Sequence, residues 1–326
     1  MKAGKQTTLR AQAVVHGIGV HSGAAASLTL KPAAADSGIV FVRTGRDGEA
    51  DRRVRADVRA VTATEFATVL GDAMGPLCST AEHVLAALAG LGIDNAVVEI
   101  DGPEVPIMDG SAAPFVAAIE TAGIVALASS KRYIKVLKPI GVTQGDAFGE
   151  LRPYGRGFRL EVEIDFDHPL IGHQTTALDV DADSFRNELS RARTFGFLRD
   201  VNALWDAGYA RGSSLDNTLV VSEDRVLNPQ GLRFPDEFAR HKALDALGDL
   251  ALAGAPLIGV YRSRRGGHRL NHAVLSALMA DSSAWTMVDA AELAAPMAHQ
   301  APRRGIRGHA DGATPLAVPA FGPEMS

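Results

Sequence analysis

The stretch 158-FRLEVEIDF-166 alternates apolar and polar residues, so that Leu160, Val162 and Ile164 lie on one face. A period of two is typical of a β-strand that buries one of its faces. Farther along, the stretch 235-PDEFARHKALDALGDLALAG-254 has the period of a helix. Strands followed by helices within one half of a chain favour an α+β fold over a doubly wound parallel sheet.

The first 128 residues show the same order of elements. Strands are predicted at residues 13–16, 26–30, 39–43 and 96–100, helices at 80–90 and 113–123, and a loop or hairpin at 44–60. In the second half, the further predictions are strands at 133–136 and 148–152, a helix at 182–189, a strand–helix–strand segment at 194–221 and a last helix at 271–280. The order of strands and helices in both halves therefore predicts an α+β architecture.

The length of 326 residues also favours two domains, each large enough for its own core. The small and polar stretch 128-ASSKR-132 is the predicted linker, which places the domains at 1–128 and 132–298. From residue 299 onward, Gly, Pro, Ala and Arg dominate without a period. Residues 299–326 are therefore predicted to be a disordered tail.

Composition and charge exclude several classes of protein. The 33 basic and 38 acidic residues leave a net charge of −5, which argues against a general nucleic-acid-binding surface. One cysteine, Cys78, rules out an intrachain disulfide and a thiolate zinc site, and fits a reducing compartment. The chain shows no signal peptide and no apolar run of the roughly 20 residues needed to span a bilayer. We therefore expect a cytoplasmic protein in which any metal site uses His and carboxylate ligands.

The predicted helix at 235–254 carries a polar stripe. His241, Asp245 and Asp249 lie at i, i+4 and i+8, on one side of the helix. Such a stripe is often the solvated side of a helix. An imidazole and a carboxylate one turn apart can also bind one cation, as in zinc sites.

A second group of polar residues, 79-STAEH-83, opens the first predicted helix. Ser79 and Glu82 have the spacing of a capping box, in which Glu82 reaches back to the helix N-terminus. In the alternative interpretation, His83 is a third metal ligand and Glu82 a general base. The glycines before His268 similarly suit either a turn or an anion-binding loop, and His268 is a possible acid–base residue.

Longer motifs carry a resemblance to a known family. The motifs are GIGVHSG at 17–23, STAEH at 79–83, LAGLGIDN at 88–95, GPEVPIMDGSAA at 102–113, SRARTFGFL at 190–198, RVLN at 225–228, the segment 231–249, and GHRLN at 267–271. With these motifs the chain resembles, from about residue 7 to residue 285, the zinc-dependent UDP-3-O-acyl-N-acetylglucosamine deacetylases of lipid A biosynthesis. Runs of this length are far more specific than the spacing of two ligands.

The resemblance implies a role for individual residues. The zinc ligands would be His83, His241 and Asp245, with water as the fourth. Glu82 would be the base, His268 the second catalytic group and Asp249 the residue that orients it. The resemblance also assigns Lys242 and Thr194 to recognition of the substrate and intermediate, Asp165 and Phe166 to the uridine, and Phe195 to a passage for the acyl chain.

The resemblance further implies two related α/β sandwiches, each with an insert, and an active site between them. It implies a monomer that hydrolyses the acetamide of a nucleotide-sugar lipid precursor, without nucleic acid and without a membrane span. Two other functions use similar residues: an iron oxygenase with two His and one carboxylate, and a binding module that has lost its chemistry. Glu82 next to a ligand favours hydrolysis over oxygenation, and the complete set of ligands and base argues against a binding module.

Overall fold

A computed structural model describes residues 4–45 and 49–294 of the chain. The tail predicted at 299–326 lies outside the described residues. In the described part of the first half, the chain forms ten strands and two helices. The strands are β1 (Lys5–Leu9), β2 (Ala13–Ile18), β3 (Ala25–Pro32), β4 (Ile39–Arg43), β5 (Arg52–Arg55), β6 (Val61–Ala63), β7 (Val69–Asp72), β8 (Gly75–Cys78), β9 (Ala96–Ile100) and β10 (Ile124–Ser130). The helices are α1 (Glu82–Gly90) and α2 (Ala113–Ala122), with a short 3-10 turn at Val58–Ala60.

The main sheet of the first half has the strand order β2-β3-β9-β4-β5. Its pairs are antiparallel except for β4 and β9, which run parallel. A separate antiparallel sheet consists of β6, β7 and β8, and β1 pairs with β10. Helix α2 packs against β2 and against α1, so that helices cover one face of the main sheet.

The described part of the second half contains nine strands and five helices. The strands are β11 (Arg132–Val136), β12 (Ile140–Gln144), β13 (Ala147–Arg152), β14 (Phe158–Asp165), β15 (His173–Val180), β16 (Phe195–Phe197), β17 (Leu219–Val221), β18 (Leu257–Arg264) and β19 (Trp285–Asp289). The helices are α3 (Ala182–Ser184), α4 (Val201–Asp206), α5 (Glu237–Leu250), α6 (His268–Ala280) and α7 (Ala290–Ala294). A π-helical turn at Phe185–Leu189 continues α3, and 3-10 turns at Leu198–Asp200 and Ala251–Ala253 flank α4 and α5.

Seven of these strands form one mixed sheet around β18, which pairs with β13, β14 and β11. The face of β14 that carries Leu160, Val162 and Ile164 is buried, as its alternation predicts. Helix α5 packs on β14 and β15, and α6 packs on β12 and β13. The predicted strand–helix–strand segment is also present: β16 and β17 form a parallel pair with α4 between them in the chain. The fold class is therefore α+β, as predicted.

Helices α1 and α5 pack against each other and join the two halves. Both are buried on nearly all sides. Their closest approach requires glycine, because a Cβ at Gly248 would lie 2.0 Å from the carbonyl oxygen of Glu82. This contact brings the first turn of α1 beside the polar stripe of α5.

Two local details differ from the sequence-based expectations. The predicted linker at 128–132 carries regular structure, because β10 continues to Ser130 through its pairing with β1 and β11 starts at Arg132. The last predicted helix begins three residues earlier, at His268. The division into domains at 1–128 and 132–298 stays a prediction, with Lys131 between the last strand of one and the first strand of the other.

Candidate metal-binding and catalytic site

Three predicted ligands meet where α1 contacts α5. His83 is the second residue of α1, and His241 and Asp245 lie one turn apart on α5. The Nε2 atoms of the two imidazoles are 3.6 and 3.3 Å from Oδ1 of Asp245. All three side chains are buried, and they form the one cluster of potential metal ligands found among the described residues.

The donor atoms fit a metal ion of the size and preference of zinc. Ligand atoms about 2.1 Å from a tetrahedral ion lie about 3.4 Å from one another, close to both separations. Oδ1 of Asp245 is buried and has no hydrogen-bond partner among the described residues. Buried polar atoms are rarely left unpaired in proteins, so this oxygen fits the role of a metal ligand.

The protonation of the ligands also suits a metal. Burial lowers the pKa of His241 to about 3, which keeps its imidazole neutral. Its Nδ1 lies 3.1 Å from the carbonyl oxygen of Ala192 and donates to it, which leaves the lone pair of Nε2 free to bind a cation. Burial raises the pKa of Asp245, but the positive charge of Lys242 beside it outweighs burial and holds this pKa well below the usual range. Neutral imidazoles and an ionised carboxylate are the forms that bind metals.

Glu82 points into the site rather than back to its helix. It is the first residue of α1, the N-cap position is occupied by Ala81, and no side chain caps this end of the helix. Oε2 of Glu82 accepts a hydrogen bond from the backbone N–H of Thr68 at 3.0 Å. Burial raises the pKa of the Glu82 carboxyl group, which makes it a stronger base than an exposed glutamate. The capping-box interpretation is therefore wrong.

His268 lies at the start of α6, facing both Glu82 and Asp249. Its Nε2 is 3.7 Å from Oε1 of Glu82, and its Nδ1 is 2.9 Å from Oδ2 of Asp249. Burial acts against protonation of this imidazole, but the charges of Asp249 and Glu82 outweigh it and raise the pKa of His268 to about 9. Near neutral pH, His268 is thus a cation that can donate a proton from Nε2.

A hydrogen-bonded network fixes the carboxylate of Asp249. Besides His268, Oδ2 accepts from Nδ2 of Asn271 at 2.8 Å, and Oδ1 accepts from the hydroxyl of Thr68 at 2.6 Å. The hydroxyl of Tyr261 in turn donates to Oδ1 of Asn271 at 2.6 Å. These contacts hold Asp249 in one orientation toward the imidazole.

Two of the predicted substrate-binding residues, Lys242 and Phe195, lie beside the ligands. Nζ of Lys242 is 3.0 Å from Oδ2 of Asp245 and 5.7 Å from the ring centre of Phe195. The ring of Phe195 lies 6.3 Å from that of His241, and Phe166 packs on Phe195 with the ring centres 5.7 Å apart. The carboxylate of Asp165 forms an ion pair with Arg265 at 2.7 Å.

Thr194 is held by backbone contacts on both of its sides. Its N–H donates to the carbonyl oxygen of Gly110 at 2.8 Å, and its carbonyl oxygen accepts from the N–H of Leu219. Gly110 has a φ of 85°, and a Cβ there would lie 2.1 Å from the carbonyl oxygen of Asn217. The segment with Thr194 is thereby joined to the first half of the chain.

Three groups of buried polar residues support the site and were not predicted from the sequence. Arg193 and Glu237 form a fully buried ion pair at 2.9 Å, directly before Thr194 and at the start of α5. Glu104 is buried and accepts from the backbone N–H groups of His21 and Ser22 and from the hydroxyl of Thr80. Thr68 contacts both Glu82 and Asp249. All of these residues except Thr68 lie within the quoted motifs, which mark their positions without revealing their contacts.

The chain matches a known protein family over most of its length. The model of the family described as UDP-3-O-acyl N-acetylglycosamine deacetylase matches residues 6–280. Proteins named UDP-3-O-acyl-N-acetylglucosamine deacetylase from Brucella ovis and Brucella melitensis biotype 2 are each 51% identical to the chain over 286 residues. Each alignment covers 87% of this chain and 99% of the relative. No helix in the described residues is long and apolar enough to cross a membrane.

Proposed function

This chain belongs to the family of UDP-3-O-acyl-N-acetylglucosamine deacetylases, and from that premise we propose which of its residues carry the reaction. The enzyme is a hydrolase of the lipid A pathway that removes the acetyl group from UDP-3-O-acyl-N-acetylglucosamine. Hydrolysis of this amide consumes water and yields acetate and a free amine. The amine is a poor leaving group, so the site must both activate water and protonate nitrogen.

The family consists of metalloenzymes, and we assign zinc to the group of His83, His241 and Asp245. Two neutral imidazoles and one carboxylate are a ligand set that catalytic zinc sites use. The unpaired Oδ1 of Asp245 supports this assignment. When bound, zinc supplies Lewis acidity, which polarises a carbonyl oxygen and lowers the pKa of water to about 7.

Glu82 serves as the general base. Its carboxylate is held by the N–H of Thr68 beside the metal ligands, and its raised pKa favours proton uptake from the attacking water. The water oxygen bonds to the acetamide carbon, and the carbonyl oxygen gains the negative charge. Positively charged His268 and the hydroxyl of Thr194 are the donors proposed to stabilise this oxyanion.

His268 serves as the general acid. Its pKa of about 9 keeps Nε2 protonated near neutral pH, and Asp249 on Nδ1 fixes the ring and stabilises the positive charge. Nε2 donates its proton to the departing nitrogen as the carbon–nitrogen bond breaks. Glu82 and His268 thus move protons in opposite directions from positions 3.7 Å apart.

The substrate is bound by charge and by aromatic side chains. Lys242 contributes two further N–H donors besides the one used by Asp245, and we assign them to the anionic part of the substrate. Phe195 beside His241 and Phe166 packed on Phe195 provide apolar faces, which we assign to the acyl chain and the uridine. Asp165, assigned to the uridine as well, is the last residue of β14 and directly precedes Phe166. The net charge of −5 is compatible with an anionic substrate, because Lys242 in the site interacts with the anion directly.

We further propose that the enzyme acts as a cytoplasmic monomer, without nucleic acid and without a membrane span. Its one cysteine is buried, and burial raises its pKa to about 12, so that it stays an unreactive thiol. This property suits a reducing compartment.

The main observation in support of this mechanism is that Glu82 and His268 lie beside the cluster of the three proposed metal ligands. The test is release of acetate from UDP-3-O-acyl-N-acetylglucosamine, measured before and after metal removal by a chelator and after addition of zinc. We expect activity to disappear with the metal and to return with zinc. Stoichiometric iron and oxygen consumption would contradict zinc hydrolysis, and substrate binding without acetate release would indicate a binding module.

Variants separate the roles of the residues. Glu82→Gln and His268→Gln should lose most turnover and keep zinc, whereas His83→Ala should lose zinc. Ser79→Ala is the matched control, because a capping box would need Ser79 as much as Glu82. Near-full activity of Glu82→Gln would show that the base is another residue.

A further inference from the structure

Thr68 lies directly before β7, in the first half of the chain, and its relative exposure is 2%. Three of its polar atoms contact residues at the site. Its backbone N–H donates to Oε2 of Glu82 at 3.0 Å, and its carbonyl oxygen accepts from the N–H of Ala81 at 3.2 Å. Its hydroxyl donates to Oδ1 of Asp249 at 2.6 Å.

These contacts join the two groups that exchange protons with the substrate. Glu82 belongs to α1, whereas Asp249 belongs to α5 and orients His268. Both carboxylates accept from the same residue, so its position sets the distance and the angle between them. We propose that Thr68 is a positioning residue that aligns the general base Glu82 with the Asp249–His268 pair.

The side chain and the backbone of Thr68 have separable effects. The contact with Glu82 uses the backbone N–H, which every non-proline residue provides. The contact with Asp249 uses the hydroxyl, and the carboxylate can only accept, so the hydroxyl must donate. Replacing Thr68 by valine keeps the shape and the N–H but leaves Oδ1 of Asp249 without its donor.

The loss would act on catalysis through orientation. His268 and Asn271 both bond to Oδ2 of Asp249, so Thr68 is the donor to the other oxygen. Without it, the carboxylate is held through one oxygen only, and the direction of the His268 imidazole toward Glu82 is less well fixed. A hydrogen bond to a charged group is worth a factor of about 10–100, which sets the expected loss of activity. Substrate affinity should not change, because Thr68 is buried behind both groups.

The experiment compares Thr68→Val, Thr68→Ser and the matched control Thr8→Val in the zinc-loaded enzyme. Thr8 is also buried in the first half, where its hydroxyl accepts from the N–H of Ala33. We expect Thr68→Val to lower kcat by about 10–100-fold with KM changed less than about twofold and zinc content unchanged. Thr68→Ser should restore kcat to within about threefold, and Thr8→Val should keep kcat even where its melting temperature falls. If Thr68→Val does not fold, Thr68→Ala takes its place under the same criteria.

The inference rests on the proposed roles of Glu82 and His268, and the same assay with Glu82→Gln separates the two. If Glu82→Gln is inactive and Thr68→Val keeps its kcat, the role of Thr68 is refuted and the proposed function stands. A loss of kcat that Thr68→Ser does not restore, or an equal loss in Thr8→Val, also refutes it. Activity in Glu82→Gln would instead overturn the base assignment from which the inference starts.

Discussion

Replacing Glu237 by glutamine should destabilise the protein and weaken its metal site at the same time. Glu237 is fully buried at the start of α5, and its carboxylate accepts from N and Nε of Arg193 at 3.0 and 2.9 Å and from N of Arg233 at 2.5 Å. Glutamine has almost the same shape, but it has no charge. Its NH₂ group would face one of these donors, and the cation of Arg193 would lose its partner.

The burial of the pair sets the expected magnitude. Breaking a buried ion pair by removing one partner costs about 3–5 kcal/mol, because the remaining charge is left uncompensated. The comparison pair is Asp57 with Arg59, whose side chains are 24% and 86% exposed, so that water screens their attraction. Such pairs contribute about 1 kcal/mol or less, so Asp57→Asn should have little effect.

The effect should reach the metal through Ala192. This residue precedes Arg193 in the chain, and its carbonyl oxygen accepts from Nδ1 of His241. A shift of the segment removes the partner that orients this imidazole. Loss of such a partner typically lowers metal affinity by about 10–100-fold.

The assay has two parts, both begun with metal-free protein. Urea unfolding of the wild type, Glu237→Gln and Asp57→Asn gives the free energies of unfolding, and competition with a chelator gives the zinc affinities. The double variant Arg193→Met/Glu237→Gln should be more stable than Glu237→Gln alone, because no unpaired cation remains. The reasoning is refuted if Glu237→Gln costs no more than Asp57→Asn, or if the double variant is the less stable of the two.

Two further predictions concern Asp249 and Gly248. Folding raises the pKa of His268 from 6.5 to about 9, so in metal-free protein its stabilising effect should be full below about pH 6.5 and disappear as the pH rises through about 9. Asp249→Asn should abolish this dependence of the unfolding free energy on pH and move the alkaline limb of the kcat profile to lower pH; an unchanged limb would contradict the role of Asp249. Gly248→Ala should force α5 away from Glu82, which lowers the free energy of unfolding by about 1–3 kcal/mol. Activity should fall as well. Its control is Gly155→Ala, where a Cβ meets no atom within 4 Å, and equal stability of the two variants would refute the contact.

Local periodicity was sufficient to predict part of the fold and part of the site. The alternation of β14 and the stripe of His241, Asp245 and Asp249 on α5 depend on residues within one element, so spacing alone reveals which side chains share a face. The motifs then indicated which histidine and which glutamate belong with this stripe. Neither the periodicity nor the motifs predict that α1 packs against α5, because this packing depends on Gly248 and on residues far apart in the sequence.

Pairing between distant segments explains the errors in the fold. The residues at 128–130 are small and polar, as in many linkers, but β1 begins more than a hundred residues earlier and pairs with them, for example Lys5 with Ser130. Likewise, the strands predicted from the sequence do not include β18, which follows α5 closely and whose first half is apolar. Hydrogen bonds of the backbone decide both cases, and these bonds do not depend on residue type.

The error at Ser79 shows why local rules fail at this site in particular. Ser79 and Glu82 have the spacing of a capping box, but Thr80 between them has a φ of 58°, a conformation that costs a residue with a β-branched side chain of the order of 1–3 kcal/mol. The hydroxyl of Thr80 donates to Glu104, twenty-four residues farther along, and this contact helps to hold the strained turn. The turn moves Ser79 out of the N-cap position, and Glu82 is then free to bond to Thr68 instead of to its own helix. The uncapped helix and the strained Thr80 each lower the local stability. Together they allow the carboxylate of Glu82 to point toward the metal ligands.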